Sequence, residues 1–433
     1  MQSLALTTDG RAVSQVERKL RKYLPGLDVR LAQFSTRQAI LPGHLARALS
    51  IEYAEAGTLL RSFGVERAVP LSDEDVVALL KARDPAELAP RATPALKTAS
   101  GLDWHLTQCH VDKAWDLVGG PDAIQWDDLR VGQIDTGYTT HPAYGFPSSW
   151  VLTDLCRTFV PDPPFDSPTL PAPEPGGGLD SLSGVNAGHG TKTGCTVCAD
   201  APTATFYGVA PKVAFVAVRI CDTVVINDRQ AQFELALRHL VDVAEVSVIN
   251  VSLGLVPATP TKGMKRALDY AYDKGVIMVC AAGNYVRPVV PPACLKRTLA
   301  IAGVTVADLP WCHSSYGPEV DLSAPAVDVR AAVTARGNKY SYSRGGDGTS
   351  YAAGMVSGAA ALWLSHRRAE LKTKYIKPWQ IVEAFKACAK LTARKPNDQW
   401  KSGSFGEGIL DVEALLALPL PEPATLVMDG TNA

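Results

Sequence analysis

One serine, Ser350, stands at the start of a long run of small residues that is predicted to be helical. The glycine-rich turn 346–348 precedes it, and the small-residue run continues to Leu364. The first backbone N–H groups of a helix lack intrahelical partners, and the helix dipole is positive there. An oxyanion that forms beside Ser350 would be stabilised at this place, as acyl transfer requires. Serine is also a common N-cap, so this segment alone leaves both interpretations open.

Three further motifs place polar side chains next to glycines. Asp135 ends the apolar stretch 131–134 and precedes a glycine turn, His189 is framed by two glycines, and Asn284 follows the apolar stretch 279–283. Serine is a weak nucleophile at its free pKa and needs a positioned base, and that base in turn needs an orienting group. Taken together, these residue types favour acyl transfer over separate roles as turn and capping residues.

The order of the motifs resembles the subtilisin-like serine protease family (subtilases), whose triad follows the order Asp, His, Ser with an Asn donor between His and Ser. The resemblance covers about residues 102–416 and implies a serine-type endopeptidase. It implies that His189 takes the Ser350 proton as general base and that Asp135 orients His189. Asn284 and the Ser350 backbone N–H would then donate hydrogen bonds to the oxyanion.

Two short segments are expected to form the walls of a cleft for an extended polypeptide substrate. The first resembles the family's peptide-pairing edge and consists of Ser252, Leu253 and Gly254. The second would form the opposite wall of the pocket for the residue before the scissile bond and consists of Ala281, Ala282 and Gly283. Because these residues are small, we expect a medium or large apolar side chain at that substrate position.

Some positions depart from the usual pattern of the family. Gly354 and Met355 stand where the family commonly has Pro-His, Lys192 stands where a histidine is common, and Ala326 stands where glycine is common. None of them is a triad position, so they indicate a divergent branch. The alternative function is a catalytically silent pseudoprotease that binds peptides as an interaction protein, against which the intact motif set argues.

Apolar strands alternate with helical stretches from residue 131 onward. Strands are predicted at 131–135, 213–219, 246–252, 276–281 and 298–304, and helices near 190–199, 230–243, 261–274, 350–365 and 378–390. This alternation predicts an α/β fold, a doubly wound, mostly parallel sheet with helices on both faces. In such sheets, sites form at the carboxyl ends of the strands.

Composition bounds the class of protein. The chain has 433 residues, a net charge of −1, 46% hydrophobic residues and nine cysteines. This balance is that of a globular protein, and neither nucleic acid nor a membrane is an expected partner. Without a recognisable signal segment, the odd and scattered cysteines predict reduced thiols and a cytoplasmic location.

No cofactor or metal is expected. The family often binds structural calcium, but no ligand pattern for calcium is readable here.

Residues 1–98 are predicted to form a separate, mainly helical module. Val13, Val16 and Leu20 recur at helical spacing, and further helices are predicted within 45–63 and from Ser72 onward. The module has three alternative roles: an adaptor for a regulatory protein partner, a pro-domain, or nucleic-acid binding, which the lack of a basic stripe disfavours. The pro-domain usual in the family is an α/β fold with several strands, and few strands are predicted here.

The remaining segments complete the predicted domain organisation. Residues 99–418 would form the peptidase domain, and 419–433 a loose C-terminal tail. The polar, Pro-containing linker 86–101 is where processing would occur. The Pro- and Gly-rich stretch 160–187 is predicted to be a surface loop, either a lid or exosite or a passive insertion. Cys195 and Cys198, one helical turn apart, are either packing thiols or a redox pair.

Overall fold

The computed structural model describes residues 3–8, 13–23, 32–33, 38–41, 65–71 and 103–432, except 161–176, 184, 257, 336, 338 and 399. The strands are β1 (Ser3–Thr8), β2 (Ala32–Gln33), β3 (Gln38–Leu41), β4 (Val65–Leu71), β5 (Arg130–Asp135), β6 (Arg157–Thr158), β7 (Asp200–Ala201), β8 (Phe206–Tyr207), β9 (Ala214–Arg219), β10 (Val248–Val251), β11 (Ile277–Ala281), β12 (Leu299–Val304), β13 (Leu322–Pro325), β14 (Val329–Ala335) and β15 (Lys339–Gly346). The helices are α1 (Val13–Tyr23), α2 (Trp104–Gln108), α3 (Val111–Leu117), α4 (His189–Cys198), α5 (Gln230–Asp242), α6 (Lys262–Asp273), α7 (Thr349–His366), α8 (Arg368–Lys374), α9 (Trp379–Thr392), α10 (Ser402–Phe405) and α11 (Val412–Ala417).

Seven parallel strands form the central sheet, in the order β13-β12-β11-β10-β5-β9-β6. Alternate residues of β5 face opposite layers: Gly132 contacts Leu240 of α5, whereas the Gln133 side chain donates a hydrogen bond to the Gly190 carbonyl of α4. Because helices cover both faces, the inner strands are buried and read as continuous apolar runs. The predicted α/β fold with a parallel sheet is therefore confirmed.

The five predicted strands and the five predicted helices of this domain correspond to elements whose ends differ by at most a few residues from the predicted bounds. The edge strands β6 and β13 were not predicted, since each has only two to four residues. The antiparallel hairpin of β14 and β15 was also missed; β14 is mostly buried, but its partner β15 is polar and mostly exposed and lacks an apolar pattern. This hairpin leads directly into the turn before Ser350.

Helix α7 is the longest described helix and is buried from Thr349 through Leu364. Small residues allow it to lie close to α4 and to the sheet. A Cβ on Gly354 would lie only 3.0 Å from the Thr193 carbonyl oxygen of α4, which explains why glycine stands at this position. Among the described helices, none is long and apolar enough to cross a membrane.

The described part of the N-terminal module is an antiparallel sheet in the order β2-β3-β1-β4, together with α1. Helix α1 was predicted correctly, and Val13, Val16 and Leu20 are buried. The prediction of a mainly helical module was wrong for the described residues, because the pairing of β1 with β3 and β4 joins short strands that are distant in sequence. The helices predicted within 45–63 and from Ser72 onward lie outside the described residues.

The C-terminal residues pack against the peptidase domain, so the prediction of a loose tail was wrong. The carboxylate of Asp429 accepts a hydrogen bond from the Arg297 backbone N–H at 3.0 Å and contacts Lys386 Nζ at 3.1 Å. The Asn432 side chain donates to Asp269 at 2.9 Å. These polar partners are far away in sequence, which is why composition alone did not indicate them. The linker 86–101 and most of the loop 160–187 lie outside the described residues.

Candidate active site

The three predicted triad residues meet at the carboxyl end of the sheet. Asp135 ends β5, His189 begins α4, and Ser350 lies in the first turn of α7. His189 Nδ1 lies 2.7 Å from Asp135 Oδ1, and His189 Nε2 lies 3.2 Å from Ser350 Oγ. Both distances allow hydrogen bonds. The geometry therefore links the serine hydroxyl to a buried carboxylate through one imidazole.

The Asp135 carboxylate is held in its orientation by its own donors. Its Oδ1 accepts a hydrogen bond from the Thr136 backbone N–H at 2.7 Å, and its Oδ2 accepts one from Thr193 Oγ1 at 3.4 Å. The side chain is almost completely buried. Such second partners fix the carboxylate so that it can receive the His189 Nδ1–H and set the imidazole tautomer.

The glycines around His189 have specific steric roles. Gly188 adopts the left-handed conformation with φ of 71°, which residues with a side chain rarely adopt. A Cβ on Gly190 would lie 2.1 Å from the carbonyl oxygen of Gly137, so the turn after Asp135 passes directly over this position. The glycine frame therefore brings the aspartate turn and the histidine helix into contact.

A second carboxylate, Asp180, braces the same junction and was not predicted. Its Oδ2 accepts hydrogen bonds from Thr136 Oγ1 at 2.6 Å and from the Gly188 backbone N–H at 3.0 Å, and its Oδ1 accepts one from the Leu182 N–H at 2.7 Å. Burial raises the pKa of Asp180, and the nearby Asp135 charge adds to this rise, while the hydrogen bonds oppose it. No local motif marks Asp180 in the sequence.

The predicted oxyanion donor, Asn284, is oriented by a residue that sequence reasoning missed. Its side-chain Oδ1 accepts hydrogen bonds from the backbone N–H and from the hydroxyl of Thr349, both at 2.9 Å. Since the oxygen is occupied, the amide nitrogen is the free end of the side chain. A Cβ on Gly348 would lie 3.4 Å from this Nδ2, so the amide faces the turn before Ser350.

A cleft of about 360 Å³ contains His189, Asn284 and Ser350. Five of the six predicted wall residues line it, namely Ser252, Leu253, Gly254, Ala281 and Gly283. Ala282 does not line the cleft and is fully buried; its N–H donates to the Ile301 carbonyl and its carbonyl accepts from the Val290 N–H, both at 2.9 Å. Because successive residues of an extended chain point in opposite directions, Ala282 faces away from the cleft.

The backbone of Gly254 already has partners. Its N–H donates to the Val224 carbonyl and its carbonyl accepts from the Ile226 N–H, both at 3.0 Å. Residues 224–226 therefore lie alongside the predicted peptide-pairing edge as a short parallel bridge. The single N–H donor of Gly254 is therefore not available to an extended substrate while the bridge is present, and its carbonyl already has one partner.

The cleft also contains polar and aromatic side chains outside the predicted set. Lys192, one of the departures from the family pattern, lines it on the helix that begins with His189. Tyr285 and Asp347 line it near Asn284 and Ser350. Burial raises the pKa of Asp347, and the neighbouring Asp328 carboxylate also raises it. The cleft thus presents charges of both signs near the nucleophile.

Two groups of side chains among the described residues bear on metal or redox chemistry. Cys195 and Cys198 are buried free thiols, and burial raises the pKa of both, which favours the packing interpretation. Among the described residues, one set of three side chains brings its ligand atoms within 4.8 Å of one another: His110, Asp411 and Glu413. His110 Nδ1 lies 2.9 Å from Asp411 Oδ2, so a hydrogen bond accounts for this pair, and Glu413 lies 3.8 Å from Lys113 Nζ.

Comparisons with known proteins show the family to which the chain is similar. Residues 128–408 match the sequence profile described as the Subtilase family. The chain is 34% identical over 190 residues to the "Thermophilic serine proteinase" of Bacillus sp. (strain AK1), covering 43% of this chain and 45% of that protein. It is 28% identical over 258 residues to the "Major intracellular serine protease" of Bacillus subtilis (strain 168), covering 58% and 73%.

A solved structure supports the same fold. The crystal structure of MycP1 with the N-terminal propeptide removed aligns with a TM-score of 0.54 and 22% identity, covering 74% of this chain and 99% of that chain. The chain spans about half the length of the thermophilic relative and nearly three quarters of the intracellular one. Since the family profile matches well over half of the residues, the chain belongs to the subtilase family of serine-type endopeptidases.

Proposed function

We propose that the chain hydrolyses peptide bonds of polypeptide substrates through an acyl-enzyme at Ser350. The observation that carries this proposal is the continuous contact from Asp135 through His189 to Ser350, with distances of 2.7 and 3.2 Å. An imidazole with a carboxylate on one nitrogen and a hydroxyl on the other is the arrangement that activates a serine.

The reaction follows from the positions of these groups. Ser350 Oγ attacks the carbonyl carbon of the scissile bond while His189 Nε2 accepts the hydroxyl proton. Asp135 stabilises the imidazolium that forms. When the C–N bond breaks, His189 returns this proton to the leaving amine. A water molecule then attacks the acyl-enzyme by the same route and releases Ser350.

Asn284 supplies the transition-state hydrogen bond in this proposal. The negative charge develops on the former carbonyl oxygen, and the Asn284 amide and the Ser350 backbone N–H are its donors. Because Thr349 holds the Asn284 oxygen before substrate binds, the amide needs no reorganisation during the reaction. Preorganised donors of this kind act on the transition state rather than on the ground state.

The test is labelling with a fluorophosphonate probe, followed by mass mapping of the modified residue. Wild type should label at Ser350, and the Ser350→Ala and His189→Ala variants should not. Ser365→Ala, at the other end of α7, is the matched control and should label like wild type. Failure of the wild type to label, both intact and after removal of residues 1–98, would contradict the proposal and favour the peptide-binding pseudoprotease.

We further propose the division into a regulatory N-terminal module (1–98), a peptidase domain (99–418) and a C-terminal segment (419–433). The antiparallel sheet of β1–β4 with α1 supports a pro-domain over a helical adaptor for a partner protein, because pro-domains of the family are usually α/β folds. Intact-mass analysis separates these alternatives. Cleavage within 86–101 in wild type, absent from Ser350→Ala, is expected for a self-processed pro-domain, whereas an uncleaved active protein would indicate a permanent module.

The activity is proposed to be restrained. The bridge between Gly254 and residues 224–226 supports this, since it occupies groups with which a substrate backbone would pair. Free digestion of casein by the purified full-length chain would count against restraint. The predicted cytoplasmic location, where restraint would matter most, remains a prediction; the nine free thiols agree with it.

A further inference from the structure

The pocket for the residue before the scissile bond is located by the nucleophile and the oxyanion donor. In a bound substrate, the carbonyl carbon of the scissile bond lies next to Ser350 Oγ, and its oxygen lies next to Asn284 Nδ2. The side chain of the residue that carries this carbonyl must then enter between the two cleft walls. Both walls adjoin the catalytic residues: Ser252 Oγ donates to the Ser350 carbonyl at 3.2 Å, and Gly283 directly precedes Asn284. The depth available between Gly254 and Gly283 therefore decides which side chain fits.

The side chain of Val290 fills the space between these two glycines. A Cβ on Gly254 would lie 2.6 Å from Val290 Cγ2, and a Cβ on Gly283 would lie 3.0 Å from Val290 Cγ1. Both methyl groups therefore lie in contact with the backbone of the walls. Val290 lines the cleft and is only 6% exposed. It lies at the bottom of the pocket.

Hydrogen bonds fix the Val290 segment to both walls. The Val290 N–H donates to the Ala282 carbonyl at 2.9 Å, on the side of Gly283. The carbonyl of Pro291 accepts from the Leu255 N–H at 2.8 Å, on the side of Gly254. These two hydrogen bonds tie residues 290 and 291 to opposite walls of the pocket. Val290 therefore cannot move away without breaking one of the two bonds.

We propose that Val290 determines specificity by closing this pocket, so that the chain cleaves after small residues: alanine, serine or glycine. A larger side chain would overlap the Val290 methyl groups, and close-packed protein interiors tolerate such overlap poorly. The inference rests on the proposed peptidase function. It replaces the expectation, drawn from the small wall residues alone, of a medium or large apolar side chain at this position.

The experiment compares peptide aldehydes that differ only in their last residue, alanine or phenylalanine, as competitors of fluorophosphonate labelling at Ser350. Fluorogenic substrates with the same two sequences give kcat/KM for cleavage after alanine and after phenylalanine, and the ratio of these two values measures the preference. Wild type should favour alanine by at least about tenfold in both measurements. Val290→Gly, with Val290→Ala as a second and milder variant, should shift the ratio towards phenylalanine by at least about tenfold.

Val289→Ala is the matched control, because Val289 is a buried valine next in sequence that does not line the cleft. It should leave the alanine preference unchanged. Equal affinity of wild type for both aldehydes, or an unchanged ratio in folded Val290→Ala, would overturn the inference even though Ser350 labels normally. If Ser350 does not label, the proposed function fails instead. In that case, the affinity of Ser350→Ala for two peptides that end in alanine or phenylalanine still measures the preference of the pocket.

Discussion

The reactive side of the cleft and its substrate walls are built from the ends of the same parallel sheet, but they are held together differently. On the reactive side, polar side chains from separate elements bond to one another, as Asp135 does to His189 and Thr193. In the walls, backbone groups bond to one another, and Val290 fills the space between the two walls by apolar contact. We therefore expect the loss of any one residue on the reactive side to remove most of the activity. A substitution in the walls should instead change specificity or stability gradually.

Buried polar bonds extend the reactive side into the sheet. The Asn250 side chain donates to Gln133 at 3.2 Å and accepts from Ser357 of α7 at 3.0 Å. These bonds tie β5, β10 and α7 together beneath the triad. Buried polar networks specify one arrangement because each unmade bond is costly. In the walls, Ser252 joins this network, since its Oγ accepts from the Asn250 side chain and donates to the Ser350 carbonyl, both at 3.2 Å. Val290 and the wall glycines have no polar side chain to couple, so each of them can change with less effect on the polar network.

The largest effect should come from breaking the triad. We expect His189→Ala and Ser350→Ala each to lower kcat by about 10⁶-fold and Asp135→Ala by about 10⁴-fold; these magnitudes are those of the equivalent changes in subtilisin itself. If the triad acts as a unit, the kcat of the double variant His189→Ala/Ser350→Ala should be no lower than that of either single variant. If the two losses of kcat multiplied in the double variant, the residues would act independently, which would contradict this expectation. Steady-state kinetics on a fluorogenic peptide measures this.

Asn284→Ala should have the second largest effect. We expect kcat to fall by about 10²–10³-fold with little change in KM, the magnitude known for the oxyanion asparagine of subtilisin. Thr349→Val should lower kcat less, because the Thr349 backbone N–H still holds the Asn284 oxygen. A change confined to KM would place Asn284 with the substrate walls rather than with the reactive side.

Gly254→Ala tests the packing of the walls. The new Cβ would lie 2.6 Å from Val290 Cγ2, and overpacking of this kind costs about 1–3 kcal/mol of unfolding free energy. Adding Val290→Ala should restore part of this loss. Gly403→Ala is the control, since a Cβ there meets no atom within 4 Å. Urea unfolding of wild type and the three variants measures the effect, and equal losses at positions 254 and 403 would contradict close packing at the pocket bottom.

The difference between the two regions also explains what could be predicted from the sequence. Asp135, His189 and Ser350 each lie in a short motif whose glycines and helix start have a local steric purpose, so the motifs and the resemblance of their order to the subtilase triad were enough to predict that the three residues meet. The central strands were equally readable, because burial on both faces makes them continuous apolar runs.

Residues whose roles depend on distant partners were not readable. Asp180 acts through Thr136 and Gly188, and Val290 matters only because Gly283 and Gly254, the latter in a separate segment of the chain, lie on either side of it. The N-terminal strands were missed for the same reason: β1 is completed by β3 and β4, which no local periodicity reveals.

The smallest expected effect concerns the pH dependence of Asp180→Asn. Because burial raises the pKa of Asp180 in the folded chain, the folded state binds this proton more tightly than the unfolded state does. This contribution to stability is fully present below the unfolded pKa, near 3.8, and is lost as the pH rises through the raised value. Asparagine cannot titrate, so the unfolding free energy of wild type minus that of Asp180→Asn should increase as the pH falls through this interval.

Urea unfolding of both proteins at several pH values, below and above the ordinary pKa of aspartate, measures this difference. Asp122→Asn is a suitable control, since that carboxylate is largely exposed and lies on the surface beside Lys212. An equal rise for both variants would contradict an effect that is specific to Asp180. A difference for Asp180→Asn that falls as the pH is lowered would mean that the hydrogen bonds from Thr136, Leu182 and Gly188 outweigh burial. Asp180 would then favour its ionised form, and the junction between Asp135 and His189 would be held by charge as well as by geometry.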